Sequence, residues 1–151
     1  MFHPSQNLLV AVTLDCSQIR GHVFLLDRQT LDLIDVAESD GTFCKAVMID
    51  VDAERLLLAH RRGIRVRSLN EFWKVEWAWD TSDDLSSAVH DPERDWVYLS
   101  NGQVIAPGFG EVARLPALDK CSGPAILRDG RVAGINGTGV LRVWDVGLLP
   151  E

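Results

Sequence analysis

Two turn landmarks recur in this chain in the same order and at the same distance. DAER at 52–55 is followed by an apolar run, a short polar turn and Gly63, and DPER at 91–94 is followed by the same elements and Gly102, both offset by 39 residues. Forward along the chain, Asp129-Gly130-Arg131 precedes VAGIN and then Gly139, offset by 38 and 37 from Asp91 and Gly102. Backward, His3-Pro4 precedes NLLVAVTL and Gly21, with a longer connection, LDCSQIR, between them. Each glycine opens a similar run: GHVFLLD, GIRVRSL, GQVIAPG and GVLRVWD. The first and last carry an aspartate six positions after the glycine, at Asp27 and Asp145, so the terminal Trp144-Asp145 is one member of a register.

Within each copy the hydrophobic period is two. NLLVAVTL, RLLLAH, GIRVRSL, DWVYLS and GVLRVWDV are runs of β-branched, aromatic and leucine residues bounded by Gly, Asp, Asn or Pro, whereas no stretch of about a dozen residues keeps a helical stripe. The chain is therefore expected to be all-β. Four copies at a period near 40, each holding several short strands, imply the four-stranded antiparallel sheets of β-propeller blades. The strands, lettered a to d from inner to outer, fall as follows. The first blade takes 7–14, 21–27 and 30–36 as b, c and d. The second takes 45–50, 55–60, 63–69 and 73–80 as a to d, and the third 86–90, 95–100, 103–109 and 111–115. The fourth takes 124–127, 131–136 and 139–146 as a, b and c. About fourteen strands result, in blades at 1–36, 43–80, 86–115 and 124–147 of one partial propeller domain covering 1–151.

With VLRVWD closing a strand, FHPSQNLL and HDPERDWVYLS opening strands, and a period near 40, the chain resembles the WD-repeat β-propeller family over nearly its whole length. It departs from the family in carrying one WD dipeptide, in having Gly21-His22 at the start of a c strand, and in assembling no His, Ser/Thr, Trp, Asp tetrad within a blade. The resemblance implies a non-catalytic scaffold that binds peptides or proteins on the d-to-a and b-to-c connections. In this sequence those are 15–20, 38–42, 60–63, 80–85, 101–102, 118–123 and 136–138. The partner-binding candidates on them are His60, Arg61, Arg62, Asp83, Asp84, Asn101 and Lys120; Gly21, Asp27, Gly63, Gly102, Gly139, Trp144 and Asp145 are the structural positions of the repeat.

Charge narrows the partner. Fifteen basic against twenty-two acidic residues give a formal charge of −7, which opposes the phosphate neutralisation that supplies most nucleic-acid affinity. Protein or peptide partners are expected instead, with neither nucleic acid nor membrane. HRRGIRVR concentrates His60, Arg61, Arg62, Arg65 and Arg67 against this acidic background. It reads either as a guanidinium site for an acidic or phosphorylated peptide or as a solvated turn with ion pairs to Asp83 or Asp84.

FWKVEWAWD puts Trp73, Val75, Trp77 and Trp79 on one strand face and Lys74, Glu76 and Asp80 on the other, reading as packing or as an exposed aromatic groove. The three cysteines, Cys16, Cys44 and Cys121, form no C-x-x-C pair, and His3, His22, His60 and His90 show no metal-ligand spacing, so no cofactor and no metal are expected. The alternative to a scaffold is a propeller-type hydrolase or lyase with a central-channel carboxylate such as Asp50; the inner strands offer Asp50 and His90 as candidates, both at strand ends.

MFHPSQNLLV has neither the basic start nor the long apolar stretch of a signal peptide, so a cytoplasmic or nuclear location is expected. Only Met1-Phe2-His3 precede the first turn, too few to supply an outer strand to the fourth blade. An open arc of about four blades is therefore expected rather than a closed ring, with further N-terminal blades or another chain completing it.

Overall fold

A computed structural model describes residues 8–15, 20–39, 44–50, 54–71, 74–116, 118 and 121–148. Its regular structure among the described residues includes fourteen strands and a 3-10 turn at Val146–Leu148. β1 (Leu8–Asp15), β2 (Arg20–Asp27) and β3 (Leu33–Ser39) form the first sheet; β4 (Cys44–Asp50), β5 (Arg55–His60), β6 (Gly63–Ser68) and β7 (Val75–Asp80) form the second. β8 (Ala88–Asp91), β9 (Trp96–Leu99), β10 (Gln103–Ala106) and β11 (Gly110–Arg114) form the third, and β12 (Cys121–Ile126), β13 (Val132–Asn136) and β14 (Leu141–Trp144) the fourth. Every sheet is a meander in chain order with antiparallel neighbours, the simplest way to turn consecutive short strands into ladders. The chain divides into two compact units, Met1–Thr81 and Ser82–Glu151, with two sheets in each.

In the first unit Val10, Val23, Leu25 and Ala37 of one sheet meet Leu56, Leu58 and Leu69 of the other, with Val47 and Ile49 packed against them. β5 is the centre of gravity of this unit. Its LLLA stretch is buried on both faces, which is why its sequence is a continuous apolar run instead of an alternation. Truncating Leu56 or Leu58 to Ala would cost about 2–5 kcal/mol. The second unit is organised around Tyr98, Val104, Leu115, Leu118, Val132 and Val146, with Trp96 and Trp144 half-buried beside them.

Two local devices repeat between sheets. Each of the three pairings of a third strand with a fourth or outermost one (β2 with β3, β6 with β7, β10 with β11) carries a register shift. Such bulges increase the twist of an outer strand and make it a poor template for edge-to-edge pairing. The second device is a left-handed residue closing the turn before the second strand: Glu54 (φ 49), Asp95 (φ 53) and Gly130 (φ 79) occupy that position in the second, third and fourth sheets. Only the last of these is a glycine, so this repeat is invisible to a scan for glycines.

The strand pairing also corrects the repeat register. Asp50 pairs with Arg55 and Asp91 with Trp96 across equivalent four-residue turns, so the counterpart of Asp91 is Asp50, 41 positions earlier, and not Asp52. In the following strands the offset falls to 38, Val66 opposite Leu57 corresponding to Val104 opposite Tyr98. β9 has four residues where β5 has six, and this shorter hairpin absorbs the difference. The shared spacing of 39 lies between two registers.

The outer strand β7 holds the tryptophan stripe. Trp77 and Trp79 are half-buried and stacked, with ring centroids 6.5 Å apart and planes inclined by 15°, while Val75 beyond the bulge is 38% exposed. Trp73 lies outside the described residues.

Candidate functional site

In the second unit, residues 82–87 lead into β8 and residues 100–102 join β9 to β10, and hydrogen bonds tie the two segments together. The Ser100 hydroxyl accepts from the amides of Ser86 at 2.9 Å and Ser87 at 3.4 Å, and the Ser100 amide donates to the Ser87 carbonyl at 3.1 Å. Ser100 and Asn101 are buried, and Leu85 anchors the leading segment in the interior with 2% of its surface exposed. Asn101 Nδ2 donates to Gln103 Oε1 at 2.7 Å and to Asp83 Oδ2 at 3.3 Å, while Asn101 Oδ1 accepts from the Gln103 amide at 3.1 Å. The Asn-Gly pair at 101–102 shapes the turn, and the Gly102 amide closes it onto the Leu99 carbonyl at 2.9 Å.

The network continues across the sheet. Gln103 Nε2 donates to Glu111 on the outer strand, and Arg114 grips the same carboxylate through Nε at 3.1 Å and Nη2 at 3.2 Å. Burial pushes the Glu111 carboxyl up, but the hydrogen bonds from Arg114 and Gln103, with the Arg114 charge, outweigh it and hold the group below the ordinary carboxylate range. The result is a polar ladder from Asp83 to Arg114, with Asp84 exposed beside Asp83 in sequence.

Of the partner-binding positions expected from sequence, the structure joins Asp83 to Asn101 and leaves Asp84 beside them in sequence. His60, Arg61 and Arg62 belong to the first unit. Arg61 and Arg62 form the exposed two-residue tip between β5 and β6, with His60 buried below it. Arg65 turns to the neighbouring strand, its Nη2 lying 2.7 Å from Asp80 and its Nη1 3.3 Å from the Trp79 carbonyl. Arg67 is buried, with 3% of its surface exposed, so the run HRRGIRVR is divided between a displayed tip and an interior. Lys120 lies outside the described residues.

The structural positions of the repeat fall at strand ends. Gly21 in β2 pairs with Leu14 and Ser39. Gly63 opens β6 where a Cβ would come 2.2 Å from the Trp79 carbonyl oxygen, a contact no other residue could make. Gly139 closes its turn onto the Asn136 carbonyl. Asp27 and Asp145 do the same job at the ends of equivalent strands: Asp27 accepts from the amides of Gln29 and Thr30, and Asp145 from that of Gly147. Trp144 donates from its indole nitrogen to the Pro116 carbonyl at 3.0 Å. Sequence reading missed Ser86, Ser100, Gln103, Glu111 and Arg114; a serine accepting backbone amides and a glutamine opening a strand leave no spacing signature.

No family model matches the chain, and no curated protein matches it. Solved structures do. The Dos1 propeller superimposes with a TM-score of 0.72 at 14% identity, covering 95% of this chain and 40% of that one. The β-propeller domain of Myceliophteria thermophila Cps50 (Swd1) gives 0.69 at 13% identity, over 96% of this chain and 55% of that one. This chain thus spans about half or less of the length of the propellers it matches. Fourteen antiparallel strands in four consecutive sheets, together with this likeness, give this chain the β-propeller fold.

Proposed function

We propose that the chain is a non-catalytic interaction scaffold that binds a protein or peptide partner on the connections preceding the first strand and following the second strand of its sheets. The observation that carries this reading is the fastening of residues 82–87 to residues 100–102, through Ser100, Asn101 and Asp83, which displays an acidic surface from a rigid frame. A loop held in one conformation loses little entropy on binding, and loops on rigid frames are where recognition concentrates. Asp83 and Asp84 make this surface complementary to a basic peptide, whereas the Arg61-Arg62 tip of the first unit suits an acidic or phosphorylated one. The acidic overall balance supports protein partners over nucleic acid; the cytoplasm or nucleus is the proposed setting.

The test is affinity capture with the 151-residue chain, followed by reconstitution with the purified partner. Reversing charge at Asp83 and Asp84 (D83K, D84K) or at Arg61 and Arg62 (R61E, R62E) should weaken one purified partner about tenfold or more. Equal binding by both charge-reversed variants overturns the reading.

A further inference from the structure

The chain holds two Asn-Gly pairs, Asn101-Gly102 and Asn136-Gly137, each in the connection from the second to the third strand of its sheet. In such a pair the amide nitrogen after the asparagine is placed to attack the side-chain carbonyl carbon. Glycine has no Cβ to crowd the approach and leaves the backbone free to turn into it. The fold puts the two pairs in opposite circumstances.

At Asn136 the parts of this reaction are assembled. Its Oδ1 accepts from the Thr138 amide at 3.1 Å, the Thr138 hydroxyl at 2.8 Å and the Val140 amide at 2.8 Å. Three donors on one carbonyl oxygen draw electron density from Cγ and stabilise the negative charge that develops on that oxygen during attack, as an oxyanion hole does. The Gly137 amide, which is the nucleophile, donates to no acceptor among the described residues, and the same holds for Asn136 Nδ2, the leaving group. Gly137 is exposed, with nothing within 4 Å of where a Cβ would stand, so water reaches the reacting atoms.

At Asn101 each of these parts is withheld. The Gly102 amide is engaged by the Leu99 carbonyl at 2.9 Å. Asn101 Nδ2 is bound to Gln103 Oε1 at 2.7 Å and to Asp83 Oδ2 at 3.3 Å, and the Asp83 carboxylate opposes negative charge developing beside it. Asn101 and Gly102 are both buried, which keeps water from the centre.

We propose that Asn136 is a site of spontaneous deamidation and that the fold protects Asn101 from the same reaction. The Gly137 nitrogen gives its proton to a solvent base and bonds to Asn136 Cγ. The Cγ–Nδ2 bond then breaks, Nδ2 takes a proton from solvent and leaves as ammonia, and a five-membered imide remains. Water opens the imide at either carbonyl, leaving aspartate or isoaspartate at position 136, so one water is consumed and one ammonia released. Aspartate adds a negative charge to this connection. Isoaspartate also routes the main chain through Cβ, lengthening the turn that the Gly139 amide closes onto the Asn136 carbonyl at 2.9 Å and loosening β14. The connection is one of those proposed above for partner binding, but the reaction does not depend on that reading.

The experiment is incubation of the 151-residue chain at neutral pH in oxygen-18 water, followed by peptide mass spectrometry that separates aspartate from isoaspartate. Residue 136 should acquire both products, each carrying one labelled oxygen, about tenfold or more faster than residue 101. In urea, where neither pair keeps its surroundings, the two rates should converge. Thr138→Val removes the hydroxyl donor and keeps the amide donor, and should slow residue 136 about threefold to tenfold. Equal rates at the two residues in the folded chain, rates that stay apart in urea, no reaction at residue 136 while the unfolded chain reacts, or an unchanged rate in Thr138→Val would each overturn the proposal.

Discussion

The Ser100 hydroxyl receives the Ser86 amide at 2.9 Å, and this bond fastens the segment entering β8 to the turn leaving β9. Ser100 is 6% exposed, so its oxygen has little water to replace it. Ser100→Ala strands two backbone donors and should lower stability by about 1–3 kcal/mol. Chemical unfolding followed by tryptophan fluorescence measures the loss; a change below about 0.5 kcal/mol would show that the segment is held by other contacts.

Gly63 admits no side chain because its backbone runs against the Trp79 carbonyl. Gly63→Ala is therefore expected to force β6 and β7 apart and to cost about 2–4 kcal/mol, in the upper range for a point substitution. The same substitution at Gly137, where nothing lies within 4 Å of the added methyl, should cost far less. Similar unfolding midpoints for the two variants would contradict the packing described for β6.

Tyr98 is the only tyrosine in the chain, so tyrosinate absorbance reports on it alone. Its pKa is raised from 10 to about 12, so the stability it contributes is full below about pH 10 and is lost as pH climbs toward 12, where the unfolded chain ionises first. Tyr98→Phe should flatten this alkaline limb. A folded protein whose tyrosine titrates near pH 10 would contradict the burial of the hydroxyl.

Glu111 works in the opposite direction. Its pKa is depressed below 4.5, so its bonds to Arg114 and Gln103 contribute fully above that value and are lost as pH falls through the lower folded-state value. Glu111→Gln should remove part of the acid-side loss of stability and leave a smaller difference between pH 6 and pH 3, roughly the window set by carboxylate linkage. An acid limb identical in the two proteins would show that Glu111 is not held by the ladder.

The strands were legible because each is a short apolar run between turn residues, as RLLLAH and DWVYLS show, and the repeat was legible because its turns use Asp and Gly. The register was not. DAER and DPER match as text, yet strand pairing aligns Asp91 with Asp50, because a shortened hairpin changes the count without changing the turn chemistry. The left-handed positions at Glu54 and Asp95 were hidden for a related reason: the surrounding turn imposes that conformation on side chains that seldom choose it. At the candidate site Asp83 and Asn101 could be named from their place in connections. The residues that bind them together could not, since Ser100, Gln103 and Glu111 act through geometry that only the folded sheet creates.

The frame that holds the connection is tested most directly by amide hydrogen exchange on the 151-residue chain. The expected result is that Ser87 and Ser86, whose amides are bonded to Ser100, and Ser100, bonded to Ser87, are protected together with Leu99 and Tyr98 of β9. Free exchange across residues 82–87 while β9 remains protected would contradict it, and with it the rigid display on which the proposed scaffold function rests.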